Sequence, residues 1–197
     1  MSVPSLVGSV LAGRFRIVEH LGEGAVGDVY LAEHEVLGRR YAVKLLKQQF
    51  RSHPTMMERF RREAQVASRL EHPNIVYISD FGRSEDGRLY IAMEYIPGLT
   101  LGAAVSEARP DVFPLRRSLR IFKQIASALV AAHAAGVLHR DLKPENVMLS
   151  AGPGGKDVVK IFDFGLAKMM GLQDGMEITQ KGAMFGTFNV ETIQEVQ

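Results

Sequence analysis

The sequence contains no cysteine, and neither sign of charge dominates it. Without cysteine the chain can form no disulfide, no thiolate nucleophile and no Cys-ligated metal site. Its 24 Lys and Arg residues against 22 Asp and Glu residues leave a formal net charge of +2, which does not by itself indicate a nucleic-acid or membrane partner. We therefore expect no nucleic-acid partner, and we interpret the Arg-rich stretches "RFRREA" and "LRRSLR" as solvated helix faces.

The sequence also lacks a hydrophobic run long enough to cross a bilayer. Its longest apolar region, "IASALVAAHAAGVL", is interrupted by Ser, His and Gly and is shorter than the roughly 20 residues that a transmembrane helix needs. The first residues, "MSVPSLVGSVLAGRF", have no basic segment before a short apolar stretch and make a poor signal peptide. With 46% hydrophobic residues over 197 positions, we expect a globular, cytoplasmic protein of one domain or two small lobes.

The first half of the chain has the patterns of strands and one helix. Over residues 15–46, short β-like runs alternate with Gly-bearing turns, which predicts an antiparallel meander. Residues 55–70 change to helical spacing, which predicts a helix with one buried stripe. That stripe contains a carboxylate: its members are Phe60, Glu63, Ala67 and Leu70.

Two further strands are predicted at 75–81 and 89–95, joined by the Asp-Gly turn of "SEDGR". A Pro-Gly pair then stops the sheet, and a long helix is predicted over 114–135 with Gly136 as its C-cap. This order predicts an α+β fold of two lobes that meet at Tyr95–Gly98. The apolar face of the long helix comprises Leu119, Phe122, Ile125, Ala126, Leu129 and Ala132.

The turn "GEGAVGDV" places Gly22, Gly24 and Gly27 between two predicted strands. Glycines let backbone N–H groups approach phosphate oxygens closely. Taken alone, the pattern fits a flexible turn better than a nucleotide site. The strand that follows the turn excludes the dinucleotide-binding version of this motif, in which a helix follows.

The strand "YAVKLL" puts Ala42, Lys44 and Leu46 on one face of the sheet. Lys44 thus points where apolar neighbours point, which is costly for an ammonium group unless it is paired. A snorkelling lysine at a sheet edge is the simplest interpretation of one such residue. Because Glu63 on the buried helical stripe raises the same difficulty with the opposite sign, we predict that Lys44 and Glu63 pair.

Two other segments concentrate polar groups between apolar ends. Asp163 follows a buried-looking strand and precedes Phe-Gly, where a turn-forming aspartate is the simplest reading. In "LHRDLKPENVML", Asp141, Lys143 and Asn146 stand at near-alternate positions. Such a loop is usually a solvated turn, but these three side chains could also bring a base, a cation and a metal-binding amide oxygen to one point.

Taken together, these segments resemble the eukaryotic-type protein kinases. The order of glycine loop, strand lysine, helix glutamate, "HRDLKPEN" and "DFG" is far more specific than any one motif. The stretches "GRFRIVEHLGEGAVGDVYLAEH" and "HPNIVYISDFG" are most similar to bacterial Ser/Thr kinases. The resemblance implies a bilobal protein-kinase-like fold with an antiparallel β-sheet N-lobe that carries one helix and a partial, mainly helical C-lobe. The implied boundaries are a kinase domain at 15–187, divided into N-lobe 15–94, hinge 95–98 and C-lobe 99–187, with an N-terminal extension at 1–14 and a tail at 188–197.

The resemblance also implies an activity, Ser/Thr protein kinase, with ATP and Mg²⁺ as cofactors and a protein hydroxyl as acceptor. Asp141 would orient the hydroxyl and accept its proton, while Lys143 would support the γ-phosphate. Lys44, aligned by Glu63, would hold the α- and β-phosphates. The implied ligands of Mg²⁺ are Asn146 and Asp163.

The nucleotide site implied by the resemblance lies between the lobes, with the glycine loop over the phosphates and a hinge beside adenine. Met93 would be the gatekeeper residue at the back of this nucleotide site. The implied nucleotide-binding residues are Leu21, Gly22, Glu23, Gly24, Ala25, Val26, Gly27, Val29, Ala42, Lys44, Glu94, Ile96 and Met148.

The sequence departs from the family after "FGT" at 185–187, where "FNVETIQEVQ" stands in place of a Pro-Glu motif and further helices. A truncated, catalytically inactive ATP-binding fragment is therefore the main alternative. A small-molecule kinase of the aminoglycoside phosphotransferase type is a weaker one, since its loop lacks the "DLKPEN" form. We also expect self-association through an uncovered apolar face of the long helix, and pairing of Arg140 with a phosphorylated Thr179. Thr187 would pack near Asp141 and Lys143.

Overall fold

A curled six-stranded antiparallel sheet builds the N-lobe of the computed structural model, which describes residues 6–107 and 113–164. The spatial order is β1-β2-β3-β4-β6-β5, and the predicted meander over 15–46 is confirmed as β2, β3 and β4. The strands are β1 (Val10–Leu11), β2 (Phe15–Glu23), β3 (Gly27–His34), β4 (Arg40–Leu46), β5 (Ile78–Arg83) and β6 (Leu89–Glu94).

The two faces of this sheet bury different apolar clusters. Val43 and Leu45 of β4 belong to one cluster with Phe15, Ile17 and Tyr90. The alternate residue Leu46 belongs to a second cluster on the opposite face, built with the helix α1 (Pro54–Ala67). The predicted period of two along β4 therefore holds, and it leaves Lys44 on the α1 side of the sheet.

Helix α1 covers that second face with the stripe predicted from the sequence. Phe60, Glu63, Ala67 and Leu70 are all buried, although the helix ends at Ala67 and Leu70 follows it. Phe60 alone contributes on the order of 1.5–3 kcal/mol by leaving water. The buried stripe therefore packs α1 against the sheet, and it places the carboxylate of Glu63 in the interior of the lobe.

The N-terminal hairpin closes one side of the curled sheet. Leu11 in β1 is buried in the sheet's core, so residues 10–14, assigned above to an extension, also take part in the lobe. Arg14 Nη2 lies 2.9 Å from Asp80 Oδ2 and donates to the hydroxyl of Tyr90 at 2.5 Å. The backbone N–H of Ala12 donates to Glu85 at 3.1 Å. These contacts tie the first hairpin to β5, β6 and the turn between them.

The C-lobe combines helices with a second, three-stranded antiparallel sheet in the order β7-β8-β9. The sequence predicted its long helix to within a residue at each end, but it predicted neither the short helix nor β7. The elements are β7 (Leu99–Thr100), α2 (Leu101–Glu107), α3 (Leu115–Ala134), β8 (Val147–Ala151) and β9 (Asp157–Ile161). None of the helices in the described ranges is long and apolar enough to cross a membrane.

Gly136 ends α3 as predicted, with a φ of 73° and with the N–H of Val137 donating to the carbonyl of Ala132 at 2.9 Å. This is the hydrogen bond and the left-handed residue of a glycine C-cap. A second special glycine, Gly98, lies between the lobes with a φ of 147°, and a Cβ there would lie 2.0 Å from the carbonyl oxygen of Leu149. The connection between the lobes therefore requires glycine at this position.

The predicted apolar face of α3 is wrong in part. Ile125 and Ala132 are buried, but the buried stripe runs through Ile121 and Ala128. The C-lobe sheet packs on that stripe, since Val147, Val159 and Ile161 share its cluster. Among the other predicted members of the face, Leu129 packs against this cluster, Ala126 is exposed, and Leu119 and Phe122 are 58% and 63% exposed.

The predicted strand at 75–81 begins only at Ile78. The residues before it pair with the other lobe, because Val76 N–H donates to the carbonyl of Ile161 and Ile161 N–H donates to that of Asn74, each at 2.9 Å. Ile75 and Ile161 form an isolated parallel bridge. This segment therefore joins the two lobes beside β9.

Candidate active site

Lys44 is the centre of a buried ion-pair cluster. Its relative exposure is only 6%, and its Nζ lies 2.9 Å from Glu63 Oε1 and 2.8 Å from Asp163 Oδ1. The predicted pairing of Lys44 with Glu63 is confirmed, and Asp163 is a second partner from the other lobe. Strand β4, helix α1 and the end of β9 thus converge on one ammonium group.

The charges in this cluster do not balance. Burial lowers the pKa of Lys44, but Asp163 and Glu63 outweigh burial and leave the pKa above its ordinary value of 10.5. Burial raises the pKa of Glu63 to about 7, although Lys44 pulls it down. Glu63 Oε2 is buried and has no hydrogen-bond partner among the described residues. When Glu63 and Asp163 are both ionised, one ammonium faces two carboxylates, and the remaining negative charge is one that a further cation would neutralise.

The loop 138–146 folds around Asp141. Asn146 Nδ2 donates to the backbone carbonyl of Asp141 at 2.8 Å, and Lys143 Nζ lies 3.0 Å from Asp141 Oδ2. Arg140, immediately before Asp141, has a φ of 64°, a left-handed conformation that is costly for a residue with a side chain. The hydrogen bond from Asn146 holds the backbone of Asp141, and the half-exposed side chain of Asp141 faces Lys143.

His139 and Phe162 connect that loop to Asp163. Phe162 N–H donates to the carbonyl of Asn146 at 3.1 Å, and His139 Nε2 lies 3.0 Å from the carbonyl of Phe162. Burial lowers the pKa of His139, so the neutral ring must carry its proton on Nε2 to donate there. Its ring also packs on Phe164 at 4.6 Å between centroids. The sequence assigned His139 no role, although its place within "HRD" was a usable signal.

Asn146 and Asp163 fit a hard cation by the chemistry of their oxygens. Because the amide nitrogen of Asn146 donates to Asp141, the amide oxygen is the atom left for a metal. The carboxylate of Asp163 keeps a second oxygen besides the one that faces Lys44. Within residues 6–107 and 113–164, no group of three or more His, Asp or Glu side chains gathers as a metal site. A metal here would therefore complete its coordination with water or with oxygens of a bound ligand.

The glycine-rich turn between β2 and β3 lies against the backbone of β4. A Cβ on Gly27 would come within 2.7 Å of the Leu45 carbonyl oxygen, and one on Gly24 within 2.9 Å of the Gly27 carbonyl oxygen. Gly24 N–H donates to Gly27 at 3.0 Å across the turn. Leu21, Glu23, Gly24 and Ala25 are exposed, whereas Gly27 is buried. The turn is thus closely folded, and at Gly24 its exposed surface is backbone that a phosphate could approach.

Strand register brings the predicted adenine-side residues of the N-lobe onto the face that carries Lys44. Val29 stands opposite Lys44, and Ala42 stands opposite Met93. Directly paired residues of neighbouring strands share a face. Val29, Ala42 and Met93 on this face are partly buried. Met148 lies across the lobe boundary in β8, opposite Thr100 and Lys160.

Lys160 is a site-proximal residue that the sequence did not indicate. Its Nζ lies 2.5 Å from Glu94 Oε1 and 3.3 Å from the carbonyl of Ile75. The same Glu94 oxygen accepts the N–H of Tyr77 at 2.8 Å. These contacts join the last residue of β6, just before the predicted hinge residue Ile96, to β9 of the other lobe. The sequence did hold a signal for this pairing, because a lysine in the apolar strand "DVVKI" needs a charged partner, as Lys44 does in its own strand.

Three sequence expectations lie outside the described residues. They concern Gly165 of "DFG", Thr179 as a phosphate acceptor for Arg140, and Thr187 as a neighbour of Asp141.

Comparisons with known proteins agree with the motif order. Residues 15–187 match the family model described as protein kinase domain. The chain is 42% identical over 184 residues to the serine/threonine-protein kinase pkn3 of Myxococcus xanthus, covering 92% of this chain and 33% of that protein. It is 41% identical over 185 residues to the serine/threonine-protein kinase PknA of Mycobacterium tuberculosis, covering 92% of this chain and 41% of that one.

Among solved structures, the PknI kinase domain of Mycobacterium tuberculosis superposes with a TM-score of 0.67 at 37% sequence identity. That alignment covers 81% of this chain and 62% of the PknI domain. The chain therefore spans less than two thirds of each of these relatives.

Proposed function

The chain belongs to the protein kinase family, and from that premise we propose that the whole protein is an ATP-dependent Ser/Thr kinase. It transfers the γ-phosphate of ATP to a Ser or Thr hydroxyl of a protein substrate. The observation that carries the proposal is Lys44, buried and held between Glu63 and Asp163 at 2.9 and 2.8 Å. An ammonium fixed in this way is preorganised to meet phosphate oxygens.

In the proposed reaction, Asp141 orients the substrate hydroxyl and accepts its proton. The hydroxyl oxygen forms a bond to the γ-phosphorus, and the bond from that phosphorus to the bridging β-phosphate oxygen breaks. The electron pair leaves with ADP. Lys143, 3.0 Å from Asp141 Oδ2, supports the transferred phosphoryl group and limits the build-up of negative charge beside the base.

The proposed nucleotide site uses both lobes. Lys44 holds the α- and β-phosphates, and the backbone N–H groups of the turn Gly22–Gly27 cover them. Asn146 and Asp163 are the proposed ligands of Mg²⁺, which would neutralise phosphate charge when bound. The adenine-side contacts are proposed for Leu21, Val29, Ala42, Met148 and the backbone of Glu94 and Ile96. Because ATP is supplied in the cytoplasm, the proposal locates the domain there.

The names of the relatives support a protein rather than a small-molecule acceptor, since pkn3 and PknA are both called serine/threonine-protein kinases. An ATP-binding protein without transfer activity is the alternative that the test must separate. The N-lobe contacts of Lys44 would serve nucleotide binding in both cases, whereas only transfer requires Asp141 as a base.

The test is a phosphoryl-transfer assay with Mg²⁺–ATP and a generic Ser/Thr peptide, run with the 197-residue chain and with the full-length protein. Transfer that disappears in Asp141→Asn, and persists when the exposed Lys123 of α3 is changed to Met, is the expected result. Nucleotide binding without transfer in either form would favour the inactive alternative. Absence of both would reject the proposal.

A further inference from the structure

Lys47 lies one residue beyond β4, outside every motif discussed above. Its side chain is 21% exposed, and its Nζ lies 2.5 Å from Glu23 Oε1 and 3.8 Å from Asp28 Oδ1. Glu23 is the last residue of β2, and Asp28 stands opposite it in β3. One ammonium group just beyond a third strand therefore reaches both sides of the glycine-rich turn.

The main chain of Lys47 holds the same turn. Its N–H donates to the carbonyl of Val26 at 3.0 Å. Val26 in turn packs against the apolar cluster that contains Leu46 and Phe60. The apolar contact and this hydrogen bond hold the turn at Val26, and the ion pairs of the Lys47 side chain add contacts to the strand ends on both sides of it.

The charges favour this arrangement. The hydrogen bond from Lys47 lowers the pKa of Glu23 and raises that of Lys47, so both are ionised at neutral pH. Asp28 Oδ1 is buried and lacks a hydrogen-bond partner among the described residues. A buried carboxylate oxygen needs compensating charge, and Lys47 is the cation that approaches it.

We propose that Lys47 is a positioning residue for the phosphate-covering turn Gly22–Gly27, which it tethers through Glu23 and Asp28. Three glycines make the free turn mobile, and ordering a mobile backbone upon binding costs affinity. The tether orders the turn before the nucleotide arrives. Its consequence for nucleotide affinity rests on the proposed function, whereas the tether itself does not.

Two measurements separate the tether itself from its consequence for nucleotide affinity. The first is amide hydrogen exchange without nucleotide, read at Gly24, whose N–H bonds across the turn to Gly27. The second is calorimetric affinity for Mg²⁺–ADP. The variants are Lys47→Met, Glu23→Gln, the double variant and the conservative Lys47→Arg, with the exposed Lys123→Met as the matched lysine control.

Lys47→Met and Glu23→Gln should each speed exchange at Gly24 and weaken Mg²⁺–ADP binding by about two- to fivefold, the range of exposed ion pairs. The double variant should be no worse than Lys47→Met, because that change already removes the contact with Glu23. Lys47→Arg should stay near wild type, and molar salt should shrink the differences. In an active full-length protein, KM for ATP should rise while kcat changes little, since the tether acts in ground and transition state alike.

The outcomes are distinguishable. Unchanged exchange at Gly24 in Lys47→Met would overturn the tether, whatever happens to nucleotide affinity. Independent, additive losses in the double variant would also overturn it, because Lys47 would then act on the nucleotide directly rather than through Glu23. Faster exchange together with no Mg²⁺–ADP binding in wild type would leave the tether standing and reject the proposed function.

Discussion

Lys44 and Asp163 are 119 positions apart in the sequence, yet the Nζ of Lys44 lies 2.8 Å from Oδ1 of Asp163. Lys44 belongs to the N-lobe sheet, whereas Asp163 follows the last strand of the C-lobe sheet with a φ of 61°. That left-handed conformation is unusual for aspartate. The ion pair therefore depends on how the lobes meet.

We expect Lys44→Met and Asp163→Ala each to weaken Mg²⁺–ATP binding by roughly 10- to 100-fold, the range for lost charge-assisted hydrogen bonds. The first change removes the ammonium group proposed to hold the phosphates, and the second removes a carboxylate proposed to bind Mg²⁺. Isothermal titration calorimetry measures both, with Lys123→Met as control. Unchanged affinity in both variants would mean that the nucleotide site is elsewhere.

Asp141→Asn should retain nucleotide binding and lose phosphoryl transfer by roughly 10²- to 10⁴-fold in the full-length protein. The amide has a similar shape but cannot accept the hydroxyl proton. Single-turnover kinetics next to calorimetry separate the two effects. Near-normal turnover in this variant would remove Asp141 from the mechanism.

Glu63 should make the protein less stable as pH rises from about 4.5 to about 7. The unfolded carboxyl loses its proton near 4.5, whereas the folded one holds it until about 7. Between these values the folded state binds more protons, so the free energy of unfolding falls as pH rises. His139 acts in the opposite direction, since burial lowers its pKa.

The measurement is therefore the difference between wild type and Glu63→Gln in urea unfolding across pH 4 to 8. This difference isolates Glu63, because His139 contributes equally to both proteins. A difference that does not change with pH would contradict the raised pKa of Glu63.

Arg14→Ala should lower the free energy of unfolding by about 0.5–1.5 kcal/mol, a typical value for a lost hydrogen bond. Arg14 contacts both Asp80 and the Tyr90 hydroxyl, but its side chain is half exposed, which limits the ion pair's value. A double-mutant cycle with Asp80→Asn should give a non-zero coupling energy. Additive effects would show that the Arg14–Asp80 ion pair does not contribute to holding the hairpin.

Self-association should depend on Leu119 and Phe122, which are 58% and 63% exposed on the same side of α3. Exposed apolar patches promote association, so Phe122→Glu should shift the 197-residue chain towards the monomer in sedimentation velocity. Lys123→Glu, a neighbouring change on the same helix, serves as the control. An equal shift in both variants would indicate a general charge effect instead.

Local patterns in the sequence determined much of the fold. The period of two in β4 and the helical stripe of α1 were sufficient to predict that Lys44 and Glu63 face the same interior. The C-cap at Gly136 was predicted because a helix end has its own residue preference. The order of the motifs was sufficient to indicate the family, since it does not depend on any contact.

Only the tertiary structure decided which distant groups meet. The buried face of α3 passes through Ile121 and Ala128 because the C-lobe sheet packs there, and helical spacing alone did not distinguish this face from the one through Leu119 and Phe122. Residues 75–76 leave the predicted strand because they pair with Ile161 across the lobes. Lys47 and Lys160 acquire their partners in the same way, since a lysine's sequence neighbours do not specify which carboxylate the folded backbone brings within hydrogen-bonding distance.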